Sequence, residues 1–380
     1  MWGPGRRDDA GAGGVSEGLQ NALLQGIGRG HHLGAQVCVL RDGREVLHLA
    51  LGEASPGVPM SSEHLLHWFS AGKPFAAVAL GQLWERGLCN LDDPVAAHLH
   101  EFAQHGKEAI TLRHVLTHTG GFRSRVDLDW SDESWPENIA RICAAKPERA
   151  WQPGRKAAYH IASGWHVLGE LVRRLDGRPF DEYVREEIAV PLGLQDTWFT
   201  ICEDRYRAYG ERLAPIFDTE GDKSSMLHFW RGQRAASRLL PGASSRGPIR
   251  DLARFYAMLL GGGELEGRRL LLPQTVEALV ARHRTGLYDH TFAHIVDWGL
   301  GFIVNSAAYG VETVPYGYGR HASARTFGHG GHQSSSAFAD PEHGLVVALA
   351  VNGMPGAEVH HRRFFQLLTV LYEDMGLGGV

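Results

Sequence analysis

The chain has 380 residues, 43% hydrophobic and 21% charged, which suggests neither a fibre nor a disordered chain and leaves room for a substantial core. A formal net charge of -5 gives no clustered basic surface to neutralise phosphates, so neither nucleic acid nor an anionic lipid surface is an expected partner. No stretch approaches the roughly 18 apolar residues of a membrane span.

Arg6 and Arg7 are followed by Asp8, Asp9 and a Gly/Ala stretch where a secretory signal would need an apolar run, so the expected compartment is the cytoplasm. Cys38, Cys89, Cys143 and Cys202 lie far apart and form no CxxC pair, and they read as reduced thiols. Of the 38 basic residues only Lys73, Lys107, Lys146, Lys156 and Lys223 are lysines. A lysine beside a nucleophile is therefore informative.

Residues 1–14, Gly-rich and charged, are expected to form a disordered leader. Leu19, Leu23, Leu24 and Ile27 then recur at helical spacing between Val15 and Ile27, and Gly28-Arg29-Gly30 stops the run. Strand patterns follow over Gly34 to Leu40 and Glu45 to Leu51, joined by Arg41-Asp42-Gly43-Arg44, whose Asp-Gly signals a hairpin. Helical patterns occupy Lys73 to Arg86, Leu112 to Thr117, Glu137 to Ala145, Ala162 to Leu175, Phe180 to Ile188 and Ile249 to Leu260. The segment from Arg205 to Pro241, with Tyr206, Tyr209, Phe229 and Trp230, fits neither period and is assigned to a lid or pocket wall. Strand patterns return in Gly299 to Asn305, Ser334 to Ala339 and Leu345 to Val351, before a last amphipathic helix from about Val359 to Met375.

The expected class is thus α+β within one catalytic domain over 15–375. An antiparallel sheet built from both ends of the chain (about 15–60 and 296–375) is covered by the terminal helices, and a helical insertion (about 61–295) packs on its other face.

Trp68-Phe69-Ser70-Ala71-Gly72-Lys73 leads into the apolar run Phe75 to Leu83. Ser and Lys three residues apart share one face of a helical first turn, close enough for the amine to take the hydroxyl proton. The helix N-terminus favours negative charge developing there. The amine acts as a base only if burial or a neighbouring cation lowers its pKa. Alone, the tetrapeptide also fits an ordinary solvated helix start.

Further motifs follow in order: Leu88-Cys89-Asn90-Leu91-Asp92-Asp93-Pro94-Val95, Leu112-Arg113-His114-Val115-Leu116-Thr117-His118-Thr119-Gly120-Gly121, and Trp151-Gln152-Pro153-Gly154. Then come Tyr159-His160-Ile161-Ala162-Ser163-Gly164-Trp165, Phe327-Gly328-His329-Gly330-Gly331 and Ala337-Phe338-Ala339-Asp340-Pro341. In this order and spacing the set resembles class C β-lactamases and the related carboxylesterases and transacylases, from about Val15 to the last helix. The resemblance implies a β-lactamase/transpeptidase-like fold. It implies that Ser70 is the nucleophile, that Lys73 holds or accepts its proton, and that Tyr159 passes the proton to the leaving group, made basic enough by a Lys73 cation. It also implies that His329-Gly330-Gly331 lies on the strand bordering the site. The glycines would let backbone approach substrate, with the N–H groups of Ser70 and His332 as oxyanion donors. Trp230 is a candidate substrate contact.

Two positions depart from the β-lactamase pattern. Tyr159-His160-Ile161 replaces Tyr-x-Asn, and His-Gly-Gly replaces Lys-Thr-Gly, which removes an amide and a cation that would hold a β-lactam. The implied chemistry is ATP-independent acyl transfer from a small-molecule ester or amide. Water as acceptor gives an esterase or amidase; an amine or alcohol gives a transacylase of natural-product assembly. A β-lactamase or D-amino peptidase, or a scaffold that has lost the chemistry, are the competing readings. His114 and His118, and His290 and His294, stand four apart but lack a third ligand or an HExxH glutamate, so no metal is expected. No GxSxG, P-loop or dinucleotide fingerprint is completed, and no cofactor is expected.

Overall fold

The computed structural model describes residues 16–121, 135–221 and 224–378; the leader assigned to 1–14 and Lys223 lie outside the described residues. In chain order the principal elements begin with α1 (Glu17–Gly28), β1 (Gly34–Arg41), β2 (Arg44–Ser55) and β3 (Val58–Pro59). The helices α2 (Lys73–Glu85), α3 (Ser163–Asp176) and α4 (Ile249–Leu260) follow. The chain then returns to the sheet through β4 (Ile303–Val304), β5 (Phe327–Gly331), β6 (Ser335–Asp340) and β7 (Leu345–Val351), and ends in α5 (Ala357–Asp374).

The seven strands form one sheet in the order β4-β5-β6-β7-β1-β2-β3, antiparallel at every pairing. Strands from the two ends of the chain meet where β1 pairs β7, from Ala35 opposite Val351 to Arg41 opposite Leu345. Asp42 (φ 49°) and Gly43 (φ 75°) both take the left-handed conformation that lets a two-residue turn follow the strand twist.

Strand side chains alternate between two cores, as period-two geometry requires. Val37, Val39, Val347 and Leu349 pack against Leu19, Leu23, Leu367, Leu368 and Leu371 of α1 and α5. Cys38, Leu40, Val346, Ala348 and Ala350 face the helical layer. β7 is consequently buried along its whole length and reads as an unbroken apolar run.

The 299–305 pattern yields only Ile303–Val304 as strand, because Gly301 turns through φ 86°. Helix Phe180–Val184 continues as a π-helical turn, Arg185–Ala189, and a helix over Pro273–Val280 was not marked by the pattern. No helix among the described residues is long and apolar enough to cross a membrane.

α2 is buried from Lys73 through Leu83, the signature of a helix that is apolar all round and enclosed. Phe75 stacks on Phe255 of α4 with ring centroids 4.0 Å apart and meets Phe199 edge-on at 5.8 Å. Phe75→Ala is expected to lower the unfolding free energy by about 3–5 kcal/mol, read as a shift of the urea midpoint at constant m-value.

Candidate active site

A short strand, Leu66–His67, pairs with Arg246–Gly247 and delivers the chain to Trp68, whose N–H donates to the Ser245 carbonyl (2.9 Å). Phe69 then takes a left-handed φ of 51°, which costs a non-glycine residue roughly 1–2 kcal/mol. The surroundings hold it there. Ser245 Oγ donates to the Phe69 carbonyl (3.2 Å), Ser335 Oγ donates to the Trp68 carbonyl (2.8 Å), and the Phe69 ring stacks on His67 (4.0 Å) and meets Trp230 edge-on (5.1 Å).

Phe69–Gly72 forms a 3₁₀ turn that runs into α2 at Lys73. With three residues per turn, side chains three apart eclipse. Lys73 Nζ accordingly lies 2.8 Å from Ser70 Oγ, and it donates to the Gly242 carbonyl at 2.6 Å. Lys73 is fully buried, packed over the Tyr159 and Trp165 rings at 5.3 and 5.4 Å from their centroids, and no carboxylate among the described residues pairs with it. Burial alone holds its amine well below the usual lysine range. Ser70 is partly exposed, with the buried Lys73 amine behind it.

Tyr159 Oη donates to Ser70 Oγ at 3.0 Å. Burial, and secondarily the charges of Tyr316 and Asp289, push this phenol well above its ordinary value. Burial thus lowers the amine's pKa and raises the phenol's. These shifts favour the amine over the phenol as the group that accepts a proton. A neutral amine has two N–H donors and one lone pair. One N–H serves Gly242, and the lone pair can receive the Ser70 proton while Tyr159 donates to Ser70 Oγ.

The Tyr159 backbone is clamped from a distant segment. Its N–H donates to Asp289 Oδ1 (3.0 Å) and its carbonyl accepts from Thr291 Oγ1 (3.1 Å). Asp289 in turn pairs with Arg284 (3.0 Å), both essentially unexposed. Phe292 and Trp298 stack on the Tyr159 ring at 4.7 and 5.8 Å. No local pattern marks this support, since the contacts span about a third of the chain.

The histidines singled out by spacing have other uses. His114 forms a capping box with Thr111 at Leu112–Leu116. His118 Nδ1 accepts from the His160 N–H (3.0 Å), and its ring lies 4.8 Å from Tyr159. His294 bonds to the Ile295 carbonyl and Thr313 Oγ1. Among the described residues no three potential ligands form a metal-holding group.

β5 borders the site. A Cβ at Gly331 would lie 2.1 Å from the Trp68 carbonyl, and one at Gly330 would lie 2.1 Å from the Tyr316 ring. These glycines thus let the strand close onto the protein's own Trp68–Ser70 turn and Tyr316, a nearer constraint than approach of substrate. His329 is fully buried and bonded through Nδ1 to the Gly330 carbonyl (2.7 Å), with its pKa lowered to about 3 chiefly by burial; it brings no cation to the site. His332 begins the hairpin turn between β5 and β6 and is exposed. Trp230 touches the site through Phe69, with Phe229 edge-on to it (4.9 Å). Ile161, in place of the family's amide, is 46% exposed. Gly242, Asp289, Phe292 and Tyr316 are the members of this constellation that sequence reasoning missed.

The chain is similar to known proteins over most of its length. The esterase/beta-lactamase LipL of Mycobacterium tuberculosis is 28% identical over 351 residues, covering 84% of this chain and 77% of the relative. A penicillin-binding protein homologue from Caulobacter crescentus superposes with a TM-score of 0.80 at 28% identity, over 95% of this chain and 97% of its own. EstCE1, described as a hydrolase with promiscuous acyltransferase activity, superposes at 0.78 with 22% identity over 96% and 98%. The family and these relatives indicate an enzyme of the serine hydrolase type. A family model, Beta-lactamase, matches residues 19–371, and the chain belongs to the beta-lactamase family.

Proposed function

We propose that the protein cleaves small, uncharged carboxylic esters through an acyl-Ser70 intermediate. The observation that carries this reading is the buried, acid-free Lys73 amine 2.8 Å from Ser70 Oγ. Lys73 takes the Ser70 proton as Oγ attacks the carbonyl carbon, and the N–H groups of Ser70 and His332 receive the oxyanion. As the ester C–O bond breaks, Tyr159 gives its proton to the departing alkoxide and regains one from the Lys73 ammonium. Water then attacks the acyl-serine by the same steps in reverse and releases the acid.

The surroundings support an uncharged substrate. Trp230, backed by Phe229, offers apolar surface beside Phe69, and Ile161 is exposed two residues from Tyr159; His329, neutral through burial, stands where a β-lactam carboxylate would need a cation. The same apolar surface favours a second reading, in which an alcohol or amine intercepts the acyl-serine and the enzyme acts as a transacylase of natural-product assembly.

Incubation with p-nitrophenyl butyrate followed by intact-protein mass spectrometry should show a butyryl adduct on the native chain and none on Ser70→Ala. Faster loss of the adduct on adding alcohols or amines would assign transacylation. A native chain that takes up no acyl group from any activated ester would overturn the reading in favour of a binding protein.

Lys73→Arg keeps the charge but cannot become neutral, and it should lower the acylation rate by about 10²–10⁴. Because the amine must be unprotonated, native acylation should rise with pH and level off below the ordinary lysine range. A rate that levels only near pH ~10, the ordinary lysine value, would contradict the assignment.

A further inference from the structure

Arg363 lies in the second turn of α5, outside the constellation described above, and only 6% of it is exposed. Its guanidinium bolts three separate segments together. Nη1 donates to the His31 carbonyl (2.7 Å) ahead of β1, and Nη2 donates to the Gln333 carbonyl in the β5–β6 turn (2.7 Å) and the Gly353 carbonyl beyond β7 (2.7 Å). No carboxylate among the described residues pairs with it. A buried cation without an acid is unfavourable unless its hydrogen bonds are well formed, and an apolar side chain would fill the space at less cost. Burial draws its pKa down to about 9, which leaves it charged at neutral pH and its bonds to the carbonyls charge-assisted.

The turn it holds is strained. Gln333 sits at φ 49°, a region that non-glycine residues largely avoid. The adjoining ladder bond from the Ser334 N–H to the Gly331 carbonyl is long, at 3.3 Å. Gln333 directly follows His332, whose N–H is the second oxyanion donor in the reading above.

We propose that Arg363 is a positioning residue that fixes the β5–β6 turn so that the His332 N–H points at the developing oxyanion. This inference rests on the acyl-serine reading. It makes α5, on the far side of the sheet, a determinant of the chemical step and not of substrate binding.

The test compares native enzyme with Arg363→Met, Arg363→Lys and Arg363→Lys combined with Gln333→Gly. Acylation by p-nitrophenyl butyrate is followed by stopped flow, together with the affinity of a trifluoromethyl ketone, whose Ser70 adduct carries an oxyanion. Loss of a whole oxyanion donor costs ~10²–10³, so misplacing one should slow acylation about tenfold or more and weaken the ketone in parallel. Substrate dissociation should stay within about twofold of native, and the pH midpoint of acylation should not move, since Lys73 is untouched. Gln333→Gly relieves the left-handed strain and should restore part of the rate in the Arg363→Lys background.

If Arg363→Met does not fold, the Lys variant, which keeps the charge and shortens the reach, decides the matter. Folded variants that acylate at the native rate overturn the inference, as does a loss of rate matched by weaker substrate binding with the ketone unaffected. Those results leave the acyl-serine reading standing, whereas absence of an acyl adduct on native enzyme removes the reading itself.

Discussion

A primary amine held out of water without a carboxylate beside it is the constraint around which the site is built. Transferring the charged form of Lys73 from water into this surrounding is unfavourable, so the amine's pKa lies well below the usual lysine range. That condition needs α2 to be enclosed on all sides, which its run of apolar residues and Phe75–Phe255 stacking provide. It also needs an acceptor that satisfies the amine without charging it. The Gly242 carbonyl serves, arriving from a segment far away in sequence.

Ser70 depends on a second set of long-range contacts. Phe69 is bent into a left-handed conformation by groups from both layers: Ser245 from the helical layer and Ser335 from β6 each donate to the backbone just ahead of Ser70. Strain of this kind persists only where the surroundings over-determine it. Tyr159 is fixed in the same way, through Asp289 and the buried Arg284 behind it. Sheet edge, 3₁₀ turn and phenol are therefore locked by different parts of the chain, and Ser70 stands at their junction.

What the sequence displayed was local. The three-residue spacing of Ser70 and Lys73 is a property of one helical turn, and the Asp42-Gly43 hairpin and the apolar alternation of Leu345–Val351 are readable in the same way. Tyr159 and the His329–His332 stretch came into view through the order of motifs along the chain. Their distances to Ser70 are set by folding, as are the opposite pKa shifts of amine and phenol, because burial is a sum over neighbours from the whole chain. Gly242 contributes only a backbone carbonyl, which any residue has. Asp289 and Tyr316 sit in short irregular segments with no period to mark them. The strand expected over 299–305 was cut short by Gly301, whose positive φ alternation of apolar residues does not reveal.

The ionisation state of Lys73 is the most direct test. With only five lysines in the chain, NMR of protein carrying ¹³C at the lysine ε-carbons resolves few enough signals to titrate each one, and Lys73→Met identifies the relevant resonance. This signal is expected to titrate at a pH well below the ordinary lysine range. A Lys73 signal that stays protonated until pH ~10, like an ordinary exposed lysine, would contradict the account at its base.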